Sequence, residues 1–78
     1  GVFLTRTTSS GKGTAMAVED VLYFSDGFSI RGLKGDLIKL EGSRASARIT
    51  AVDYLNSILL LDRELHWADG EGVALRDT

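Results

Sequence analysis

A single histidine, His66, and no cysteine stand among the 78 residues of this chain, and those two facts limit its chemistry at once. No histidine pair or thiolate set is available to hold a transition metal. A nucleophilic triad would have to be built on His66, and the spacing of Ser57 and Asp62 brings neither of them to it. Beside Trp67, in an expected turn, His66 reads as a half-exposed packing residue. Asp26, Asp69 and Glu71 lie in glycine-rich turns, where acidic residues commonly serve as turn formers. They lack the D-x-[DN]-x-[DN]-G spacing of a calcium loop, so no metal is expected. Ser10-Gly11-Lys12-Gly13-Thr14 invites comparison with a phosphate-binding loop, but Arg6 occupies the first-glycine position and Gly13 displaces the hydroxyl residue. The segment reads as a flexible turn. With no acid, base and nucleophile set, the expectation is a non-enzyme without a cofactor.

Binding chemistry has more to work with. Arg31, Lys34, Lys39, Arg44 and Arg48 outnumber Asp36 and Glu41 between residues 31 and 48, yet the rest of the chain is acidic and the net charge is −2. A small barrel that grips single-stranded nucleic acid sets aromatic rings among its cations. Here Tyr23, Phe24, Phe28, Tyr54 and Trp67 all lie outside the basic stretch, which therefore reads as a solvated strand face. No nucleic-acid partner is expected. Trp67, between the last two strands, and Tyr54, in the hairpin turn before them, are the candidate ligand-binding residues. An exposed ring in a loop can stack on the apolar face of a sugar. The competing role for Trp67 is to cover one open end of a barrel with its indole N–H tied to a backbone carbonyl. Tyr23, Phe24 and Phe28, around Asp26-Gly27, read as closing the opposite end.

The elements that must position these residues are strands. Hydrophobic residues make up 44% of the chain and charged ones 26%, a balance that folds rather than stays disordered. Residues 35 to 76 pattern as a β-meander: Leu37 to Leu40, Arg44 to Val52, Ser57 to Asp62, and Val73 to Arg76, with turns at Glu41-Gly42-Ser43, Asp53-Tyr54-Leu55-Asn56 and Asp69-Gly70-Glu71-Gly72. Strict alternation places Ala45, Ala47, Ile49 and Ala51 on one face, opposite Arg44, Ser46, Arg48 and Thr50. Ile58-Leu59-Leu60-Leu61 is apolar on both faces, which predicts a central strand or one covered on its second side. Before the meander, Val2 to Thr8 and Thr14 to Val18 read as strands flanking a Ser9-to-Gly13 loop. Glu19 to Phe24 reads either as one helical turn burying Val21, Leu22 and Phe24 or as extended chain. Nine glycines and no proline suit strands that bend sharply.

The fold class is thus all-β, a small partly closed barrel (SH3-like or similar) of about six short strands in one domain spanning residues 1–78. The apolar run Ile58 to Leu61 is too short to span a bilayer, and no membrane partner is expected. Strand pattern from the first residues onward predicts a module cut from a longer protein.

Several segments taken as a series carry a resemblance: residues 18–27 (VEDVLYFSDG), 35–42 (GDLIKLEG), 47–54 (ARITAVDY), 59–67 (LLLDRELHW) and 72–75 (GVAL). From about Thr14 to Leu75 they resemble a small β-rich accessory segment of bacterial secreted proteins that carry right-handed parallel β-helix, pectate-lyase-like regions. The resemblance implies an extracellular, non-catalytic module beside a carbohydrate-active or adhesive domain, and it transfers no catalytic residue. Its implied partner is a neighbouring protein domain or subunit, with polysaccharide as a weaker addition through Trp67 and Tyr54. A hairpin of the same type recurs in phage tail and capsid accessory domains, where strand edges such as Val2 to Thr8 would pair with neighbouring chains. A small nucleic-acid-binding barrel is the further alternative.

Overall fold

The computed structural model describes residues 4–24 and 37–75. The turns expected at Asp26-Gly27 and Gly32 to Gly35, the strand at Phe28-Ser29-Ile30, and the outer ends of the first and last strands lie outside the described residues. Six strands follow in chain order: β1 (Thr5–Arg6), β2 (Gly11–Ala17), β3 (Leu37–Leu40), β4 (Ser46–Asp53), β5 (Ile58–Trp67) and β6 (Gly72–Leu75). Every pairing is antiparallel, in the order β1-β6-β3-β4-β5-β2. The edge strands β1 and β2 are neighbours in the chain, and the sheet curls until they meet. Thr7 bridges Val18, with Thr8 N–H donating to Ala17 O at 3.1 Å and Glu19 N–H to Arg6 O at 2.9 Å. That short seam makes the sheet a partly closed barrel, the architecture expected from the sequence.

β3 and β4 are joined by residues 41–45 and β4 and β5 by residues 54–57, and each connection holds one left-handed residue: Arg44 at φ 67° and Ser57 at φ 58°. Arg44 was expected to open β4. Instead its N–H bonds back to Leu40 O at 2.9 Å while Leu40 N–H bonds to Ala45 O at 2.8 Å, so the turn takes Arg44 and the strand starts at Ser46. In the second turn Asp53 does the local work. Its Oδ1 accepts the Asn56 N–H at 3.0 Å and its Oδ2 the Asn56 Nδ2–H at 2.9 Å, the side-chain-to-backbone turn that aspartate favours.

The meander holds for β3, β4 and β5 but not for β6. Both sides of β5 are taken, by β4 and β2, so β6 pairs with β3 and β1 instead. β5 also outruns its expected end at Asp62 and continues to Trp67. Its first part pairs with both neighbours; from Leu65 onward it pairs with β2 alone. The departure occurs at Asp62, whose Oδ1 accepts Arg48 N–H at 3.0 Å, a carboxylate standing in for the next backbone acceptor.

The core gathers on the concave side. Met16, Val18, Ile38, Leu40, Ile49, Leu59 and Val73 are almost fully buried, and Phe24, Leu61, Leu65 and Trp67 complete the cluster. Each such side chain stabilises the fold by roughly 1.5–3 kcal/mol relative to exposure. Ala51 was expected on this face and is not there. The β4–β5 register slips between Ile49↔Leu61 and Ala51↔Leu60, so Thr50 is a bulge residue that turns Ala51 outward and Val52 inward. Two threonines are buried with the core, and both are satisfied. Thr5 Oγ1 accepts Asp20 N–H at 2.8 Å; Thr7 Oγ1 donates to Ala68 O and accepts Glu71 N–H at 2.9 Å.

Candidate functional site

Trp67 and Tyr54, the residues singled out for ligand contact, sit at opposite ends of the β5 hairpin strand rather than together. Trp67 is the last residue of β5, not part of a connection, and is 6% exposed. It is inside because Gly11 opposes it across β2: a Cβ on Gly11 would lie 2.7 Å from the indole ring. This close approach explains why the Gly11-Lys12-Gly13 segment, read as a loop, is strand. Glycine in a strand marks a place where another group comes in close. His66 faces outward beside it, exposed and paired in register with Lys12 rather than packed in a turn.

Tyr54 belongs to a different environment. Its hydroxyl donates to Phe24 O at 2.7 Å while the residue stays 55% exposed. That bond ties the β4–β5 turn to the segment following β2. The segment is held there from its other side as well, since Val18 N–H donates to Ser57 O at 3.0 Å. Residues 21–24 form a turn, closed by Phe24 N–H to Val21 O at 3.1 Å and supported by Asp20 Oδ1 accepting Leu22 N–H at 2.9 Å. Its outer residues bury Val21 and Phe24, while Leu22, expected inside, is exposed. A β-turn has two central residues that project from the body, and here they are Leu22 and Tyr23.

The result is an apolar surface at one end of the barrel. Leu22, Tyr23, Tyr54 and Leu55 are four of the five exposed large hydrophobic residues among those described, and Leu55 is 91% exposed. Glu19, Asp20 and Asp53 are the charged groups of these two segments, so the rim is acidic. Hydrogen bonds from Asn56, side chain first and backbone second, hold the Asp53 carboxyl below the usual aspartate range. Sequence reasoning found Tyr54 but missed Leu55 and Leu22. Leucine at the tip of a turn framed by Asp53 and Asn56 was the readable signal. Nothing in the Val21-to-Phe24 run distinguished which apolar residue would be left outside.

The other polar groupings are structural. The Glu71 carboxylate accepts Gly42 N–H at 2.9 Å, Ser43 N–H at 3.0 Å and Ala68 N–H at 2.9 Å, clamping two turns together. Asp62 is drawn below the usual range by the Arg63 side chain first and the Arg48 N–H second. Among the described residues no group of three His, Asp or Glu side chains is placed to hold a metal ion, and no helix is long and apolar enough to cross a membrane. No protein-family model, curated protein or solved structure matches the chain.

Proposed function

We propose that this chain is a non-catalytic docking module, and that its acidic-rimmed apolar end packs against a neighbouring protein domain or subunit. The supporting observation is the gathering of Leu22, Tyr23, Tyr54 and Leu55 on two turns locked together by the Tyr54–Phe24 bond. A patch on the order of a few hundred Å² is large for a monomer to leave in water and commonly marks an interaction site. Tyr54, held by its bond to Phe24 O, adds contact area at little entropic cost. The resemblance to accessory segments of secreted β-helix proteins supports an extracellular setting for the partner. A sugar contact would fall to the Tyr54 ring, since Trp67 is largely enclosed.

A photo-reactive phenylalanine analogue placed at Leu55, in the native full-length polypeptide expressed in its own host, tests the reading. The expectation is one discrete protein or interdomain adduct from position 55 and none from position 43, on the turn tied to Glu71. Equal adducts from both positions, or none from 55, would contradict it.

A further inference from the structure

The Asp69-Gly70 pair, at the far end of β5 from the docking turns, is a bond with chemistry of its own. Where glycine follows aspartate, no Cβ hinders the side-chain carboxyl from closing onto the next backbone nitrogen. Asp69 and Gly70 are both exposed, and no hydrogen bond of the described residues engages the Asp69 carboxylate. The nitrogen it would meet is held. Gly70 N–H donates to Thr7 O at 3.1 Å, and Arg6 Nη1 donates to Gly70 O at 3.2 Å. Glu71 N–H closes the turn on Ala68 O at 3.4 Å and on Thr7 Oγ1 at 2.9 Å. Gly70 sits at φ 73° and Asp69 is not left-handed, the pattern of a type II turn, whose first central residue lies at ψ of about +120°. That angle points the Gly70 nitrogen away from the Asp69 side chain, and ring closure needs the two on the same side.

We infer that Asp69-Gly70 is a site of spontaneous covalent isomerisation, latched by the Thr7 carbonyl and released by local opening of the 68–71 turn. In the open turn the Gly70 nitrogen attacks Asp69 Cγ. A new N–Cγ bond forms, a Cγ–O bond breaks, and the nitrogen's proton leaves with the carboxyl's hydroxyl as water. Water then opens the cyclic imide at either carbonyl. Attack at the side-chain carbonyl restores aspartate. Attack at the main-chain carbonyl leaves the backbone running through Cβ and Cγ, one carbon longer, with the old carbonyl carbon as a free carboxylate. The net change in atoms is zero, and no oxidant or cofactor is consumed. Opening needs only local motion, because neither central residue of the turn buries a side chain in the core. The product is not neutral for the fold. A longer link between Ala68 and Glu71 breaks the turn span, and with it the Glu71 bond to Ala68 N–H and the ties to Thr7 beside the barrel seam.

Peptide mapping of the folded chain during incubation in mildly acidic buffer reads the reaction, since a protease that cuts before aspartate does not cut before its isomer. The chain unfolded in urea supplies the unlatched rate, checked there against Asp26-Gly27, the same dipeptide. The folded chain should isomerise at Asp69 at least about tenfold more slowly than the unfolded chain, yet well faster than its globally unfolded fraction alone allows. Thr7→Val deletes the hydroxyl bonds to Ala68 O and Glu71 N–H and should speed the folded-state reaction at least about threefold where urea melts show it folded. Arg6→Gln, an exposed change that removes the tie to Gly70 O, should act in the same direction and serves if the valine variant folds poorly. The isomerised chain, separated by reversed-phase chromatography and refolded, should melt below the parent. Equal rates in the folded and unfolded chains would show that nothing latches the bond. A folded rate set by the unfolded fraction alone, or one indifferent to both variants, equally overturns the inference.

Discussion

Replacing the half-buried Glu71 should cost this fold more than replacing any other carboxylate among the described residues, and the structure says how much. One carboxylate accepts three backbone N–H bonds, two from the β3–β4 turn through Oε2 and one from Ala68 through Oε1. Hydrogen bonds to charged groups are worth about 1.5–3 kcal/mol each when sheltered, and at these turn surfaces water replaces much of that. We expect Glu71→Ala to destabilise by about 2–3 kcal/mol in total, a fall in Tm of roughly 10–20 °C for a domain of this size. Glu71→Gln separates the two oxygens. Its single carbonyl can serve the Gly42/Ser43 pair or Ala68 but not both, so about half the loss, ~1 kcal/mol, should appear. Gly42→Ala attacks the same clamp from the other side, since its added Cβ would lie 2.6 Å from Glu71 Oε2. Urea unfolding followed by Trp67 fluorescence measures all three, with unchanged slope expected because the core is intact. A Glu71→Ala variant within ~0.5 kcal/mol of the parent, the range of an ordinary surface change, would refute the clamp.

Three further outcomes follow from the same geometry. Arg44→Gly and Ser57→Gly relieve left-handed residues at φ 67° and 58°; each should raise stability by several tenths to ~1 kcal/mol in urea melts, and a loss from both would show the turns are not strained there. Gly11→Ala drives a methyl into the Trp67 ring at 2.7 Å and should destabilise by about 1–3 kcal/mol with a red-shifted emission; an unshifted spectrum and melting curve would mean the ring is not seated on Gly11. Asn56→Ala removes the main group lowering the Asp53 titration, so its carboxyl, followed by NMR, should move up toward the ordinary aspartate value. The sign for stability follows: a depressed folded pKa contributes above the unfolded pKa and fades as pH falls through the folded one. The parent should therefore lose more stability on acidification than the variant, and parallel acid limbs would contradict that.

The legible part of this fold was what local pattern controls. Alternation from Ala47 to Ile49, the Asp53-to-Asn56 turn signal and the apolar run from Ile58 to Leu61 are enough to place β4, its hairpin and a β5 flanked on both sides. What escaped was decided by partners distant in sequence. The Thr50 bulge reverses Ala51 because the register with Leu60 slips, and alternation has no way to announce a slip. β6 pairs with β3 because β5 is already flanked on both sides. The Thr7–Val18 seam depends on how far the whole sheet curls. Gly11 looked like a loop residue because its purpose, room for Trp67, lies 56 positions along the chain. Tyr54 was singled out for a ring in a turn. Its surroundings, Leu22, Tyr23 and Leu55, came into view only once Tyr54 was seen bonded to Phe24.

The docking end is the central claim, and an affinity ratio tests it most directly. Once the adduct at position 55 has identified the partner, isothermal titration of that purified protein against the parent chain and against a Leu22→Asp/Leu55→Asp double variant gives the ratio. Both leucines are exposed, so the variant should keep the parent's stability. Removing two contact residues worth over ~1 kcal/mol each should weaken binding by roughly thirtyfold. Affinities within twofold of each other, with both proteins folded, would place the partner elsewhere and contradict the account.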